Sequence, residues 1–141
     1  MKAFWNERYQ QKEYVYGVHP NHFLAEQLSA IPHSGDILFP CEGEGRNAVF
    51  AAVSGWRVDA FDYSESGKTK ALQLAKKHEV NISYFISDAI HFDFGKEKYD
   101  VVRRELNLEF ISWYDYYDYY DYDWYSDDMN NFSYVKKDFY E

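Results

Sequence analysis

Residues 35–52 read GDILFPCEGEGRNAVFAA, and this stretch decides the fold. A short apolar run, Ile37 to Phe39, leads into a glycine-rich loop, after which apolar residues recur at helical spacing. This order predicts a strand, a tight loop and a helix. Gly43 and Gly45 let the backbone turn sharply and leave room beside the first turn of the helix, whose free N–H groups form the positive end of its dipole. The loop is therefore expected to bind a small ligand.

The charges around the two glycines indicate which ligand the loop prefers. The spacing of the glycines fits the dinucleotide-binding pattern, which on its own favours NAD or FAD. A pyrophosphate at this loop would meet the carboxylates of Glu42 and Glu44, with only Arg46 to offset them. S-adenosylmethionine instead carries a sulfonium and an ammonium group, which an acidic loop attracts. The sequence thus favours S-adenosylmethionine over a dinucleotide.

The same residues resemble a known family. Residues 36–52, with PCEGEGRN at positions 40–47, resemble the first motif of class I S-adenosylmethionine-dependent methyltransferases, most closely the small tellurite-resistance and thiopurine methyltransferase-like branch. The general motif has an acidic residue and a glycine where this chain has Phe39 and Cys41. We therefore take Glu42 as the carboxylate that faces the ligand. The resemblance covers about residues 4–102.

Four further elements are predicted on either side of this stretch. Asn21 is expected to cap a helix that runs to about residue 30. Residues 56–61 are predicted as a second strand, and a helix over residues 65–77 follows it, with an acid at its start and two lysines at its end. Residues 82–86 form a third strand. Strands that alternate with helices predict a parallel sheet.

An aspartate follows each of the second and third predicted strands. In a parallel sheet Asp62 would point into the same crevice as the glycine loop, where its carboxylate could accept both ribose hydroxyls; a helix-capping role is the alternative. The resemblance implies that Asp88 binds the adenine amino group and that the backbone of Ala89 binds a ring nitrogen, whereas a turn aspartate is the alternative. The predicted cofactor-binding residues are Tyr16, Glu42, Gly43, Gly45, Arg46, Asp62, Tyr63, Asp88 and Ala89.

Residues 4–18 are aromatic and charged without a clean period. The resemblance implies that this segment helps to close over the cofactor as a lid, with Trp5 and Tyr9 facing the cofactor or the substrate. Aromatic faces near a sulfonium would add cation–π attraction. The alternative is that these aromatic side chains simply pack on the edge of the sheet.

Composition narrows the range of partners and compartments. The chain has 141 residues, enough for one domain, and its formal net charge of −9 argues against a nucleic-acid substrate. The single cysteine, Cys41, favours a reducing compartment, and no apolar run approaches the roughly 20 residues of a membrane span. His19 and His22 have no third ligand in view, so we predict no metal site. We expect a cytoplasmic protein that acts on a small molecule.

The C-terminal part of the sequence departs from this pattern. Residues 99–102 begin a fourth strand, but three charged residues, Arg103, Arg104 and Glu105, follow where a central strand should stay apolar, so the strand is predicted to end at Val102. Residues 113–125 are a low-complexity run of tyrosine, aspartate and tryptophan. We interpret residues 103–141 as an atypical tail that is not native to the family, as a change of reading frame would produce.

Together these features predict a Rossmann-like α/β sheet with helices on both faces, formed by residues 1–102 with an N-terminal lid. The resemblance implies methyl transfer from S-adenosylmethionine to a small-molecule acceptor, such as a thiol or another soft nucleophile. Such a nucleophile needs no general base, so we name no catalytic residue. An inactive cofactor-binding fragment and, less favoured, a nicotinamide-dependent oxidoreductase are the alternatives.

Overall fold

The computed structural model describes residues 2–96, 98–105, 125–128 and 131–135. Its elements, in chain order, are α1 (Lys2–Arg8), α2 (His22–Ala30), β1 (Asp36–Pro40), α3 (Arg46–Val53), β2 (Arg57–Asp62), α4 (Glu65–Lys77), β3 (Ser83–Ile86), β4 (Val101–Glu105), β5 (Tyr125–Asp128) and β6 (Asn131–Val135). Within these residues, no helix combines the length and the apolar character needed to cross a membrane.

The described strands form one sheet in the order β3-β2-β1-β4-β6-β5. The first four are parallel, whereas β6 is antiparallel to β4 and β5 is antiparallel to β6. Helix α3 makes the crossover from β1 to β2 and α4 the crossover from β2 to β3, as a parallel sheet requires. The predicted α/β class and the Rossmann-like parallel sheet are confirmed.

Alternate residues of β1 face two hydrophobic clusters. Ile37 and Phe39 join buried side chains of α2, α3 and α4 on one face of the sheet. Leu38 faces the other side, where the partly buried Phe92 and other residues of the segment between β3 and β4 cover it. Ile37, Leu38 and Phe39 are each no more than 1% exposed, so β1 is the centre of the core.

Helix starts follow local capping rules. The side chain of Asn21 accepts a hydrogen bond from the backbone N–H of Leu24 (3.1 Å) and caps α2, as predicted. The hydroxyl of Ser64 accepts one from Gly67 N–H (3.1 Å) and caps α4. Capping of this kind fixes where each helix begins and thereby sets the lengths of the loops at the carboxyl edge of the sheet.

The prediction that the fourth strand ends at Val102 is wrong. β4 continues through Glu105 and pairs along its length with β6, so it crosses the boundary predicted at residue 102. Arg103 is only 2% exposed, and its guanidinium carbon lies 4.8 Å from the centre of the Phe23 ring. The ring of Phe23 on α2 thus stabilises the charge of Arg103, which the sequence analysis had taken as a reason for the strand to end.

The predicted division into a domain of residues 1–102 and an atypical tail stays a prediction. Most of the Tyr/Asp-rich run, residues 113–124, lies outside the described residues. Within the described part of the tail, β5 and β6 extend the sheet beyond β4.

Candidate functional site

The glycine-rich loop after β1 is hydrogen-bonded directly to the end of β2. The backbone N–H of Glu42 donates to the carbonyl oxygen of Phe61 (3.1 Å), and that of Gly43 donates to Oδ2 of Asp62 (3.1 Å). The loop turns through positive φ angles at Cys41 (54°), Gly43 (64°) and Gly45 (89°). The structure therefore brings together the glycine loop and Asp62, as the sequence predicted.

The carboxylate of Asp62 links the glycine loop to the start of α4. It is 5% exposed; Oδ1 accepts a hydrogen bond from Ser64 N–H (2.9 Å), while Oδ2 accepts the one from Gly43. Ser64, and not Asp62, caps α4. These two backbone hydrogen bonds hold the Asp62 carboxylate between the glycine loop and the turn that precedes α4.

The carboxylate of Glu42 lies at the start of α3. Its Oε1 accepts hydrogen bonds from the backbone N–H groups of Asn47 (3.0 Å) and Ala48 (2.7 Å). These groups belong to the first turn, where a negative charge is favoured by the helix dipole. Glu42 therefore stabilises the loop-to-helix junction, and its predicted contact with a ligand stays a prediction.

Glu44 is turned into the protein. It is 5% exposed and pairs with the ammonium group of Lys70, which is 8% exposed, on α4. Its other carboxylate oxygen accepts a hydrogen bond from the backbone N–H of Val15 (2.7 Å). Lys70 compensates the charge of Glu44, so the repulsion that we expected between Glu44 and a pyrophosphate is weakened.

Asp88 begins the loop after β3, at the same edge of the sheet. The preceding residue, Ser87, donates its N–H to the carbonyl oxygen of Asp62 (3.0 Å), which joins this loop to the end of β2. The Asp88 carboxylate accepts hydrogen bonds from Ile90 N–H (2.9 Å) and His91 N–H (2.8 Å), and Nδ1 of His91 lies 2.8 Å from both carboxylate oxygens.

The hydrogen bond from the His91 side chain is the main cause that lowers the pKa of Asp88, with backbone hydrogen bonds adding to it. These contacts are those of a turn aspartate, the alternative considered from the sequence. Ala89 packs, partly buried, against the cluster that contains Leu38 and Phe61. The predicted adenine contacts of Asp88 and Ala89 stay predictions.

Helix α1 lies against the glycine loop and the start of α4. Trp5 and Tyr9 stack with ring centres 5.6 Å apart, and Tyr9 is 6% exposed. A Cβ added to Gly43 would lie 2.7 Å from the Tyr9 hydroxyl, so glycine is required for this approach. Burial and the nearby charge of Asp62 raise the pKa of the Tyr9 hydroxyl, which therefore stays protonated.

Tyr16 and Arg46 lie together beside the loop. Nη1 of Arg46 donates to the backbone carbonyl oxygens of Tyr16 and His19, each at 3.5 Å. The guanidinium carbons of Arg8 and Arg46 lie 5.7 and 5.9 Å from the centre of the Tyr16 ring, which is 42% exposed. Tyr63 is partly buried in the turn between β2 and α4.

Three residues of this region were not found from the sequence. Asn6 accepts hydrogen bonds from the Ser66 N–H (2.9 Å) and the Ser64 hydroxyl (3.2 Å), which fixes α1 to the start of α4. Tyr84 donates its hydroxyl to the carbonyl oxygen of Gly43 (2.5 Å) from beneath the loop. Lys70 is a charged residue within the buried stripe of α4, and a lysine at such a position indicates a buried ion pair.

No protein-family profile matches this chain. No curated protein matches it either. Several solved structures are similar to the chain. A protein studied for the conversion of a disulfide bond into a thioacetal group during echinomycin biosynthesis is similar over 72% of this chain and 45% of its own, with 20% identity and a TM-score of 0.65.

Phosphoethanolamine N-methyltransferase 1 of Haemonchus contortus, in complex with phosphoethanolamine and S-adenosylhomocysteine, is similar over 72% of this chain and 23% of its own, with 28% identity and a TM-score of 0.55. TehB of Haemophilus influenzae covers 70% of this chain and 32% of its own at 20% identity, but its TM-score of 0.48 is too low to assign a branch.

These likenesses show the fold. The chain has the Rossmann-like fold of class I methyltransferases. It spans less than half the length of the solved structures that it matches.

Proposed function

We propose that the chain binds S-adenosylmethionine at the carboxyl edge of β1, β2 and β3 and transfers its methyl group to a small-molecule acceptor. One observation carries the proposal: the positive-φ glycine loop is hydrogen-bonded to Asp62 at the end of the neighbouring strand. The similar phosphoethanolamine N-methyltransferase, in complex with S-adenosylhomocysteine, has 28% identity with this chain and supports the choice of cofactor.

The polar groups of the site fit this cofactor. The Asp62 carboxylate lies beside the glycine loop, where it would accept hydrogen bonds from the ribose hydroxyls, and Asp88 and Ala89 lie in the adjoining loop, where adenine would bind. Around them we place the remaining members of the predicted set: Tyr16, Glu42, Gly43, Gly45, Arg46 and Tyr63. When bound, the cofactor supplies an electrophilic methyl group on a sulfonium. Trp5 and Tyr9 are assigned to the aromatic wall next to it.

The acceptor is proposed to be a small molecule, because the formal net charge of −9 opposes the binding of a polyphosphate chain. A thiol or another soft nucleophile would react once it is positioned in line with the methyl group, so the residues of the site act by binding and orientation. We also propose the tellurite-resistance and thiopurine methyltransferase-like branch, on the resemblance of residues 40–47.

Calorimetry with S-adenosylmethionine, S-adenosylhomocysteine and NADH tests the choice of cofactor. Two turn aspartates of one loop make a matched pair, because Asp93 accepts a hydrogen bond from Gly95 N–H (2.9 Å) much as Asp88 does from Ile90. Asp88→Ala should weaken S-adenosylhomocysteine binding about tenfold, since it removes a hydrogen-bonding carboxylate. Asp93→Ala should leave it unchanged. Binding of NADH alone would contradict the proposal.

A second candidate is a cofactor-binding protein without catalysis, which is favoured by the low-complexity composition of residues 113–125. Transfer of the methyl group to a panel of small thiols separates the two. Methylated thiol with S-adenosylhomocysteine as the product supports the enzyme. Cofactor binding without any product supports the protein without catalysis.

A further inference from the structure

Three side chains from the glycine loop and the start of α3 hold the backbone of one N-terminal segment, residues 13–21. Glu44 accepts the N–H of Val15 (2.7 Å), and Arg46 donates to two carbonyl oxygens of the segment at 3.5 Å. Asn47, which is 5% exposed, accepts the N–H of Asn21 through Oδ1 (2.8 Å). The contacts are thus spread along the whole segment.

Lys70 on α4 completes this arrangement. Its ammonium group pairs with Glu44, donates to the carbonyl oxygen of Glu13 (2.5 Å) and lies 4.9 Å from the centre of the Tyr14 ring. The Tyr14 hydroxyl in turn donates to the carbonyl oxygen of Lys70 (2.9 Å). The ion pair is buried, so solvent screens it little and its geometry is held by surrounding hydrogen bonds.

We propose that Glu44, Arg46, Asn47 and Lys70 are positioning residues that form a clasp on residues 13–21. The clasp makes this segment a fixed wall beside the glycine loop, and not a lid that opens in each cycle. It also places the exposed Tyr16 ring at the loop through the backbone on either side of it. The effect of the clasp on the cofactor rests on the proposed function, whereas its effect on the segment does not.

The clasp and a purely electrostatic role of Glu44 predict different results for one variant. If Glu44 acted on a cationic cofactor through its charge alone, Lys70→Met would tighten the binding of S-adenosylmethionine when the buried carboxylate stays ionised, and would leave binding unchanged when that group takes up a proton. If Glu44 acts through the clasp, the same change frees the segment and weakens binding. Asn47→Ala removes one contact of the clasp without changing any charge, so it should also weaken binding.

Two measurements on the full chain test the clasp: amide hydrogen exchange at Val15 and Asn21, and calorimetry with S-adenosylmethionine. Lys70→Met should speed exchange at Val15, and Asn47→Ala should speed it at Asn21, each about tenfold, because each loses a buried hydrogen-bonded contact. Both variants should weaken binding of S-adenosylmethionine about tenfold. Arg57→Gln, which breaks an exposed ion pair with Asp36 at the opposite edge of the sheet, is the control and should change neither.

Tighter or unchanged binding of S-adenosylmethionine by Lys70→Met, or unchanged exchange in both variants, would overturn the clasp. If Lys70→Met does not fold, Asn47→Ala decides the question by the same two measurements. If the unmodified chain binds no S-adenosylmethionine, the proposed function fails, and the exchange rates at Val15 and Asn21 still support or overturn the clasp.

Discussion

At the scale of single residues, Asp88 has an observed structural role and a proposed functional one. Its carboxylate organises the turn that follows β3 through the N–H groups of Ile90 and His91. The turn is joined to the end of β2 by the hydrogen bond between Ser87 and Asp62. A residue that fixes a loop at this edge also fixes where its own oxygens lie, so the turn role does not compete with ligand binding.

The stability contributed by Asp88 should depend on pH in one direction. The hydrogen bond from His91 holds the folded pKa of Asp88 below its ordinary value of 3.8. The contribution is therefore full above pH 3.8 and is lost as the pH falls through the folded pKa. In His91→Ala the pKa of Asp88 should rise toward 3.8, as followed by NMR titration of the carboxyl group.

His78→Ala is the matched control, because His78 is exposed at the end of α4, and the pKa of Asp88 should not move. An Asp88 carboxyl group that titrates at its ordinary value in the unmodified chain would contradict the hydrogen bond.

At the scale of elements, the conformation of the glycine loop depends on the close packing of α4 against it. A Cβ at Gly45 would lie 2.6 Å from Cβ and 2.8 Å from Cα of Ala71, so α4 packs directly on the loop backbone. A Cβ at Gly67 would likewise approach the carbonyl oxygen of Gly43 to 2.9 Å. The glycines therefore let a helix approach the loop, besides allowing its positive φ angles.

Gly45→Ala and Gly17→Ala separate these two effects. Both glycines have positive φ, 89° and 76°, but a Cβ at Gly17 meets nothing within 4 Å. Gly17→Ala should cost about 1 kcal/mol of unfolding free energy through backbone strain alone. Gly45→Ala should cost about 2 kcal/mol more, because the clash with α4 adds to the strain. Urea unfolding measures both, and equal losses would show that α4 does not pack against the loop.

At the scale of the whole molecule, the sheet does not stop where the family resemblance stops. β6 lies between β4 and β5, and its pairing with β4 runs from Val101 opposite Val135 to Glu105 opposite Asn131. The described part of the C-terminal region thus supplies the backbone partner of β4 on the side away from β1. Without it, that strand would expose an unpaired edge.

Proline in β6 tests this architecture in the full chain. Ser133→Pro removes an N–H group from a strand that has neighbours on both sides, so it should lower the free energy of unfolding by about 2 kcal/mol or more. Ser133→Ala keeps the N–H group and is the control. Equal stability of the two variants in thermal or urea unfolding would show that the sheet ends at β4.

The sequence by itself determined the local elements. Positions of β1, α4 and β3 were predicted to within one residue or two, and Asn21 was correctly assigned as a cap. Apolar periodicity, capping side chains and positive-φ glycines act over a few neighbouring residues, so they can be found along the chain. The parallel sheet follows from their alternation.

Only the tertiary structure decided which partner each charge meets. Glu44 pairs with Lys70, 26 positions away along the chain, while Arg103 is buried against the ring of Phe23. The sequence pattern described Glu44 as part of an acidic loop and Arg103 as a residue that ends a strand. Charges interact through space, and the folding of distant segments brings their partners to them, so spacing along the chain does not contain this information.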